Sequence, residues 1–103
     1  MRFKLYQIKK SLISTGTYIF MDFDFAKKHD FTIKDYDVVY EGDITPSKFI
    51  EDTLEAIYMK FNVDRPQDFK GHSLSVSDII EINDEFYYTE GLGFKNITND
   101  LLQ

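Results

Sequence analysis

The 103-residue chain has no cysteine and no tryptophan, two prolines, two histidines and five glycines. Without thiols it has neither a disulfide framework nor thiolate ligands, a composition that fits a reducing cytoplasm. His29 and His72 are too far apart in sequence to suggest a shared metal site, and the short pairs Asp22/Asp24, Asp35/Asp37 and Asp84/Glu85 lack EF-hand spacing. No metal site is expected. A Gly-rich phosphate loop is also missing, since Gly91-Leu92-Gly93 has neither a following glycine nor a helix long enough to present its amides, so nucleotide binding is disfavoured and no cofactor is implied. Apolar runs are short, and the opening Met1-Arg2-Phe3-Lys4 does not resemble a signal peptide. No membrane segment is expected.

Aromatic residues are abundant, with ten Phe and seven Tyr. Each ring is worth about 1.5–3 kcal/mol when fully buried, so one hydrophobic core over residues 1–103, a single domain, needs no further staple. The net charge of −6 is unevenly spread. Residues 1–20 carry Arg2, Lys4, Lys9 and Lys10 with no acid, whereas between 35 and 55 Asp35, Asp37, Glu41, Asp43, Glu51, Asp52 and Glu55 face only Lys48. A field of that sign repels phosphate backbones and attracts a basic partner.

Alternation over residues 2–9 predicts a first strand, and Tyr18-Ile19-Phe20-Met21 after a Ser/Thr/Gly turn suggests a short second one. Asp22 is placed to cap a helix ending in Lys27, Lys28 and His29. Tyr36, Val38 and Tyr40 predict a strand with one aromatic face, closed by Gly42-Asp43. Thr45 as N-cap and Pro46 as first residue open the main helix, with Phe49, Ile50, Leu54, Ile57, Tyr58 and Phe61 on its buried stripe. Pro66 fixes a loop, Phe69 tucks into the core, and Ile79–Asn83 with Phe86–Glu90 read as a hairpin. Phe94 and Ile97 return to the core before a polar tail. The expected fold is α+β: a small mixed or antiparallel sheet of three to five strands with one main helix packed on a face.

The chemically suggestive block is Gly71-His72-Ser73-Leu74-Ser75-Val76-Ser77-Asp78. A serine hydrolase needs a nucleophile, a base and an orienting group converging in space, and His72, Ser73 and Asp78 supply the types. Sequence adjacency sends neighbouring side chains to opposite faces, however, and no Gly-x-Ser-x-Gly elbow is present. Structural roles are expected for Gly71, His72, Ser73, Ser75, Ser77 and Asp78, with the serines bonding backbone and Ser77 or Asp78 capping a turn. No catalytic residue is assigned. The basic, aromatic start Arg2-Phe3-Lys4-Leu5-Tyr6 has too few charges against the rest of the chain to favour direct nucleic-acid binding.

Leu5-Tyr6-Gln7-Ile8-Lys9, Tyr36 to Gly42, Leu54 to Tyr58, Phe61-Asn62, Asp68-Phe69, Gly71 to Asp78, Tyr87-Tyr88 and Gly93-Phe94 together resemble the YodL-like domain family, the Gly71–Asp78 block most specifically. The resemblance implies a context: proteins and modules carried by plasmids, conjugative elements and phages of Gram-positive bacteria. It implies no catalytic assignment. Where the family pattern runs Tyr-Tyr-Val-Asp, this chain has Tyr87-Tyr88-Thr89-Glu90, and Glu81 interrupts a strand that is otherwise apolar; both changes are expected at a sheet edge.

In size and charge the chain is also similar to type II-A anti-CRISPR proteins of Gram-positive elements. The resulting expectation is a non-enzymatic inhibitor that binds a basic surface of a host defence nuclease, the type II RNA-guided enzyme, through Asp35, Asp37, Glu41, Asp43, Glu51, Asp52 and Glu55. The alternative is a protein-interaction or regulatory module of conjugation or replication machinery.

Overall fold

Strand β1 (Arg2–Ile8) has buried residues on both of its faces, and that decides the architecture. Phe3, Leu5 and Gln7 point to one side of the sheet, Tyr6 and Ile8 to the other, so each side must be covered by something apolar. The computed structural model, which describes residues 1–101, shows how. β1 lies inside a five-stranded antiparallel sheet of order β2-β1-β3-β4-β5, with β2 Tyr36–Asp43, β3 Ile79–Ile82, β4 Glu85–Thr89 and β5 Phe94–Asn96. This is the α+β class anticipated, at the upper end of the strand count. Among the described residues no helix is long and apolar enough to cross a membrane.

The first side is covered by helix α2 (Ile50–Val63), whose Leu54, Ile57 and Phe61 are fully buried against Phe3, Leu5, Ile80 and Ile82. Phe61 meets Phe69 and Tyr40 edge-on at centroid distances of 4.9 Å, an arrangement worth about 0.5–1.5 kcal/mol per pair beyond area burial. The helix begins four residues later than Pro46 suggested. Residues 45–49 are not helical, Ser47 N–H donates to Thr53 Oγ1 at 2.8 Å, and Phe49 is the N-cap with an exposed ring. The buried stripe therefore runs Thr53, Leu54, Ile57, Phe61 and omits Phe49.

The second side is covered by a layer the sequence reading left undeveloped. Residues 10–35, including helix α1 (Phe23–Lys28), supply Phe23, Ala26 and Tyr18, which pack together with Ile97, just before the short helix α3 (Thr98–Leu101), against Ile8, Tyr36, Ile79 and Tyr88. Tyrosine hydroxyls fasten this layer: Tyr88 donates to Met21 O at 2.7 Å, Tyr36 to Ser77 O at 2.6 Å and Tyr18 to Asp35 Oδ2 at 2.6 Å. Burial, with nearby anionic groups, holds the acidities of all three phenols well below normal. Residues 18–21 are not a strand. Both sides of β1 are already occupied by β2 and β3, and Phe20 adopts a left-handed backbone (φ 67°) that breaks extension.

Two further departures have local causes. The pairing of β1 with β2 slips between Leu5 and Tyr6, leaving Val39 as the extra residue of a β-bulge. Tyr40 consequently joins the α2 side while Tyr36 lies on the opposite side, so the single aromatic face expected of this strand is split between two cores. Glu81 and the Thr89-Glu90 pair lie away from the sheet edges: β3 is the central strand and β4 an inner one. Glu81 is accommodated there by accepting the Tyr6 hydroxyl at 2.5 Å, and Glu90 Oε2 caps α1 by accepting from Phe23 N–H at 3.0 Å. Asp22, at the N-cap position, makes no cap bond and instead accepts from Gly91 N–H.

The β3–β4 hairpin turns on Asn83 and Asp84, both left-handed (φ 55° and 62°), the type I′ pattern that matches strand twist. Replacing Asp84 by Gly removes a side chain from a conformation L-residues disfavour. Asp84→Gly is expected to raise stability by about 0.5 kcal/mol, the surplus of that penalty over glycine's extra chain entropy. The urea midpoint measures it; an unchanged or lower midpoint would contradict the turn assignment.

Candidate functional site

Gln7, at the penultimate position of β1, is only 2% exposed. A buried primary amide requires partners for both ends, and the Gly71–Asp78 segment supplies them. Its Oε1 accepts from His72 N–H at 3.1 Å, while Nε2 donates to His72 O at 2.8 Å and to Asp78 Oδ2 at 3.0 Å. Asp78 Oδ2 also accepts from Ser75 N–H at 2.9 Å, closing a small turn. Gly71 makes this approach possible. A Cβ there would collide with Gln7 Oε1, which is pinned by the bonds just described.

The residues of this block thus divide by role. Ser77, buried and left-handed at φ 84°, accepts from Phe20 N–H through Oγ and from the Tyr36 hydroxyl through its carbonyl, joining the block to the second layer. Ser75 engages through its backbone, and its Oγ has no partner among the described residues. Ser73 contributes its carbonyl, which lies 2.7 Å from His72 Nδ1. The same Nδ1 lies 3.3 Å from Gln7 Nε2, so one ring nitrogen faces both a carbonyl acceptor and an amide donor. Asp78 is bonded to Gln7 and the Ser75 amide, with no hydrogen bond to the imidazole. His72, Ser73 and Asp78 are therefore neighbours without the nucleophile–base–carboxylate chain of a hydrolase.

Burial pushes the Asp78 carboxyl up to about 7 from 3.8, with the Ser75 amide and the Gln7 side chain acting in the opposite direction.

The seven acidic residues fall into separate groups. Asp35 is half-buried, ends a 3-10 turn and accepts the Tyr18 hydroxyl. Glu41 and Asp43 stand opposite Lys4 and Arg2 across the β1–β2 ladder and pair with them: Arg2–Asp43 at 3.3 Å, Arg2–Glu41 at 3.6 Å and Lys4–Glu41 at 4.0 Å. Such exposed pairs are worth about 0–1 kcal/mol, yet they neutralise their own carboxylates. By strand alternation these four side chains point away from α2. Glu51, Asp52 and Glu55 lie on the solvent side of α2, with no cation among the described residues within 4 Å, and Asp37 stands alone on β2 opposite Gln7. The structure groups the helix acids with one another and separates them from Glu41, Asp43 and Asp35.

The outward side of α2 has a second property that charge counting missed. Phe49, Ala56, Met59 and Val63 are exposed and recur with Asp52 at alternating spacings of three and four residues, Val63 at 76% exposure. The same periodicity that marks the buried stripe, shifted half a turn, would have revealed this one.

Beside Gln7 the surface opens into a groove of about 720 Å³ between the chain after β1, the bulged part of β2 and Lys70-Gly71-His72. The family-like block therefore serves as one wall of this groove.

Two consequences are measurable. Gly71→Ala is expected to cost about 1–3 kcal/mol, because the added methyl cannot be accommodated without breaking the Gln7 bonds, while Gly91→Ala, with only Asp22 Oδ1 at 3.7 Å, changes stability little. Equal denaturant midpoints for the two variants would contradict the account. For Asp78 the sign follows from proton binding: between pH 4 and pH 7 the folded state holds a proton that the unfolded state has released, so stability falls as pH rises through that window. The slope is on the order of 1 kcal/mol per pH unit and is absent in Asp78→Asn; parallel stability–pH curves for the two proteins would refute it.

Comparison with known proteins places these features in a family. The family model described as YodL-like domain matches residues 2–99. An uncharacterized protein of Acanthamoeba polyphaga mimivirus is 36% identical over 96 residues, covering 79% of this chain and 89% of that protein. No solved structure matches. The match spans β1, the Gly71–Asp78 block and the β3–β4–β5 meander alike, and the chain belongs to the YodL-like domain family.

Proposed function

We propose that this domain is a non-enzymatic binding protein of a mobile element, an inhibitor that engages a basic surface of a host defence nuclease, the type II RNA-guided enzyme. The observation that carries the reading is the outward side of α2. Glu51, Asp52 and Glu55 are there without cationic partners among the described residues, beside the exposed Met59 and Val63. A rigid helix presenting carboxylates around an apolar stripe complements a channel lined with Lys and Arg, where charge steers approach and apolar contact adds residence time. The bonding of His72 and Asp78 to scaffold groups favours binding over catalysis, and a relative encoded by a virus fits a family carried by mobile genomes. Within the acidic set, Glu51, Asp52 and Glu55 form the contact field; Glu41 and Asp43 are occupied by Arg2 and Lys4.

The exposed Phe49, Ala56, Met59 and Val63 favour a second reading, a docking module of conjugation or replication machinery held by apolar contact. Salt separates the two: electrostatic inhibition weakens as the Debye length falls from about 30 to 3 Å, and apolar docking persists.

Purified protein is expected to slow DNA cleavage by the purified type II nuclease. Glu51→Lys/Asp52→Lys/Glu55→Lys should weaken binding at least roughly tenfold, against less than about threefold for Glu41→Lys/Asp43→Lys. Absence of binding by the unaltered protein would sink the nuclease assignment, and equal effects of the two variants would sink the helix assignment.

A further inference from the structure

The groove beside Gln7 has a charge opposite to that of the molecule. Lys9 and Lys10 reach it from the end of β1, Lys70 and His72 from the block pinned to Gln7, and Asp37 is its one carboxylate. Of the chain's 12 Lys and Arg residues, Arg2, Lys4, Lys27 and Lys95 have a carboxylate within 4 Å among the described residues and eight do not. Lys9, Lys10 and Lys70 have none within 4 Å among the described residues. Between them the lining is mainly apolar, with Ile8, Ile13, Val38 and Val39 beside Gln7 and Ser11, and Ile13 and Val38 are exposed at 38% and 45%. The walls are fixed, one by β1 and the bulge at Val39, the other by the Gln7 bonds to His72.

We propose that this groove binds a compact phosphate-bearing ligand with a flat apolar body, of the nucleoside monophosphate class. Three lysines against one aspartate among the lining residues leave a surplus of two positive charges, which matches a phosphomonoester dianion better than a single carboxylate. The apolar lining offers a surface for a base, and the groove volume falls within the range of small-molecule sites. A polymer is disfavoured by charge: outside the groove it would meet a molecule of net charge −6. Recognition by ammonium groups needs no Gly-rich loop, so the lack of that loop does not oppose this site. The site shares no residue with the helix surface proposed for protein binding.

The test titrates the full ¹⁵N-labelled chain with AMP, UMP, adenosine, inorganic phosphate and a 12-nucleotide single-stranded DNA, following amide shifts. AMP and UMP are expected to shift amides of residues 9–13, 37–39 and 70–72, with affinity at least roughly tenfold above that of adenosine and of inorganic phosphate. Lys9→Gln/Lys70→Gln, both on the surface, should lower AMP affinity at least tenfold with an unchanged amide spectrum elsewhere. Val38→Asp, which adds a carboxylate to the lining, should do the same. No shift in the groove with AMP or UMP would overturn the site, as would affinity unaffected by these variants. Phosphate binding as tightly as AMP would overturn the apolar half, and the oligonucleotide binding more tightly than AMP would overturn the compact ligand. Since nuclease binding uses α2, loss of one site leaves the other measurable.

Discussion

One buried amide side chain organises the region that distinguishes this domain. Gln7 sits where an apolar residue would continue the Phe3-Leu5 face, and its presence requires that another segment bring a donor and two acceptors to it. The Gly71–Asp78 segment has the matching parts: a glycine that lets backbone approach, a histidine whose main chain bonds twice, and an aspartate that completes the set. Removing one partner of such a network leaves a desolvated polar group, a loss of about 1–3 kcal/mol, larger than the net gain from an ordinary hydrogen bond. The pattern that looked like chemistry in sequence is in structure the means by which a long loop is locked to a strand.

Much of the framework was legible because it rests on short-range periodicity. β1, the interior of α2 and the β3–β4 hairpin each declare themselves within a dozen residues. What was not legible depends on partners distant in sequence. The start of α2 is set by Thr53 capturing Ser47, not by Pro46. Tyr18–Met21 has strand composition but no free edge on β1 to join, and its tyrosine is spent on Asp35. The bulge at Val39 reverses the facing of half a strand whose alternation reads as regular. β5 is only three residues long, too short for a pattern, and exists because β4 offers it a neighbour.

The candidate sites follow the same division. A run of acids along the sequence was visible, but which of them remain unpaired depends on the β1–β2 register that puts Arg2 and Lys4 opposite Asp43 and Glu41. The groove could not be foreseen, since it joins lysines about 60 residues apart. Its existence shows that a molecule with negative overall charge carries a concentrated positive region, where its basic start meets Lys70. Charge here is sorted by position as well as counted.

The bulge at Val39 also governs how the molecule behaves in a crowd. β2 is the long outer strand of the sheet, and eight residues of extended backbone would otherwise be a template on which a second molecule could stack its own strand. The misstep in spacing twists that border, and Asp37, which has no cationic partner within 4 Å among the described residues, would set like charge against an approaching copy. That border is thereby a poorer template for sideways strand addition than a regular strand of the same length.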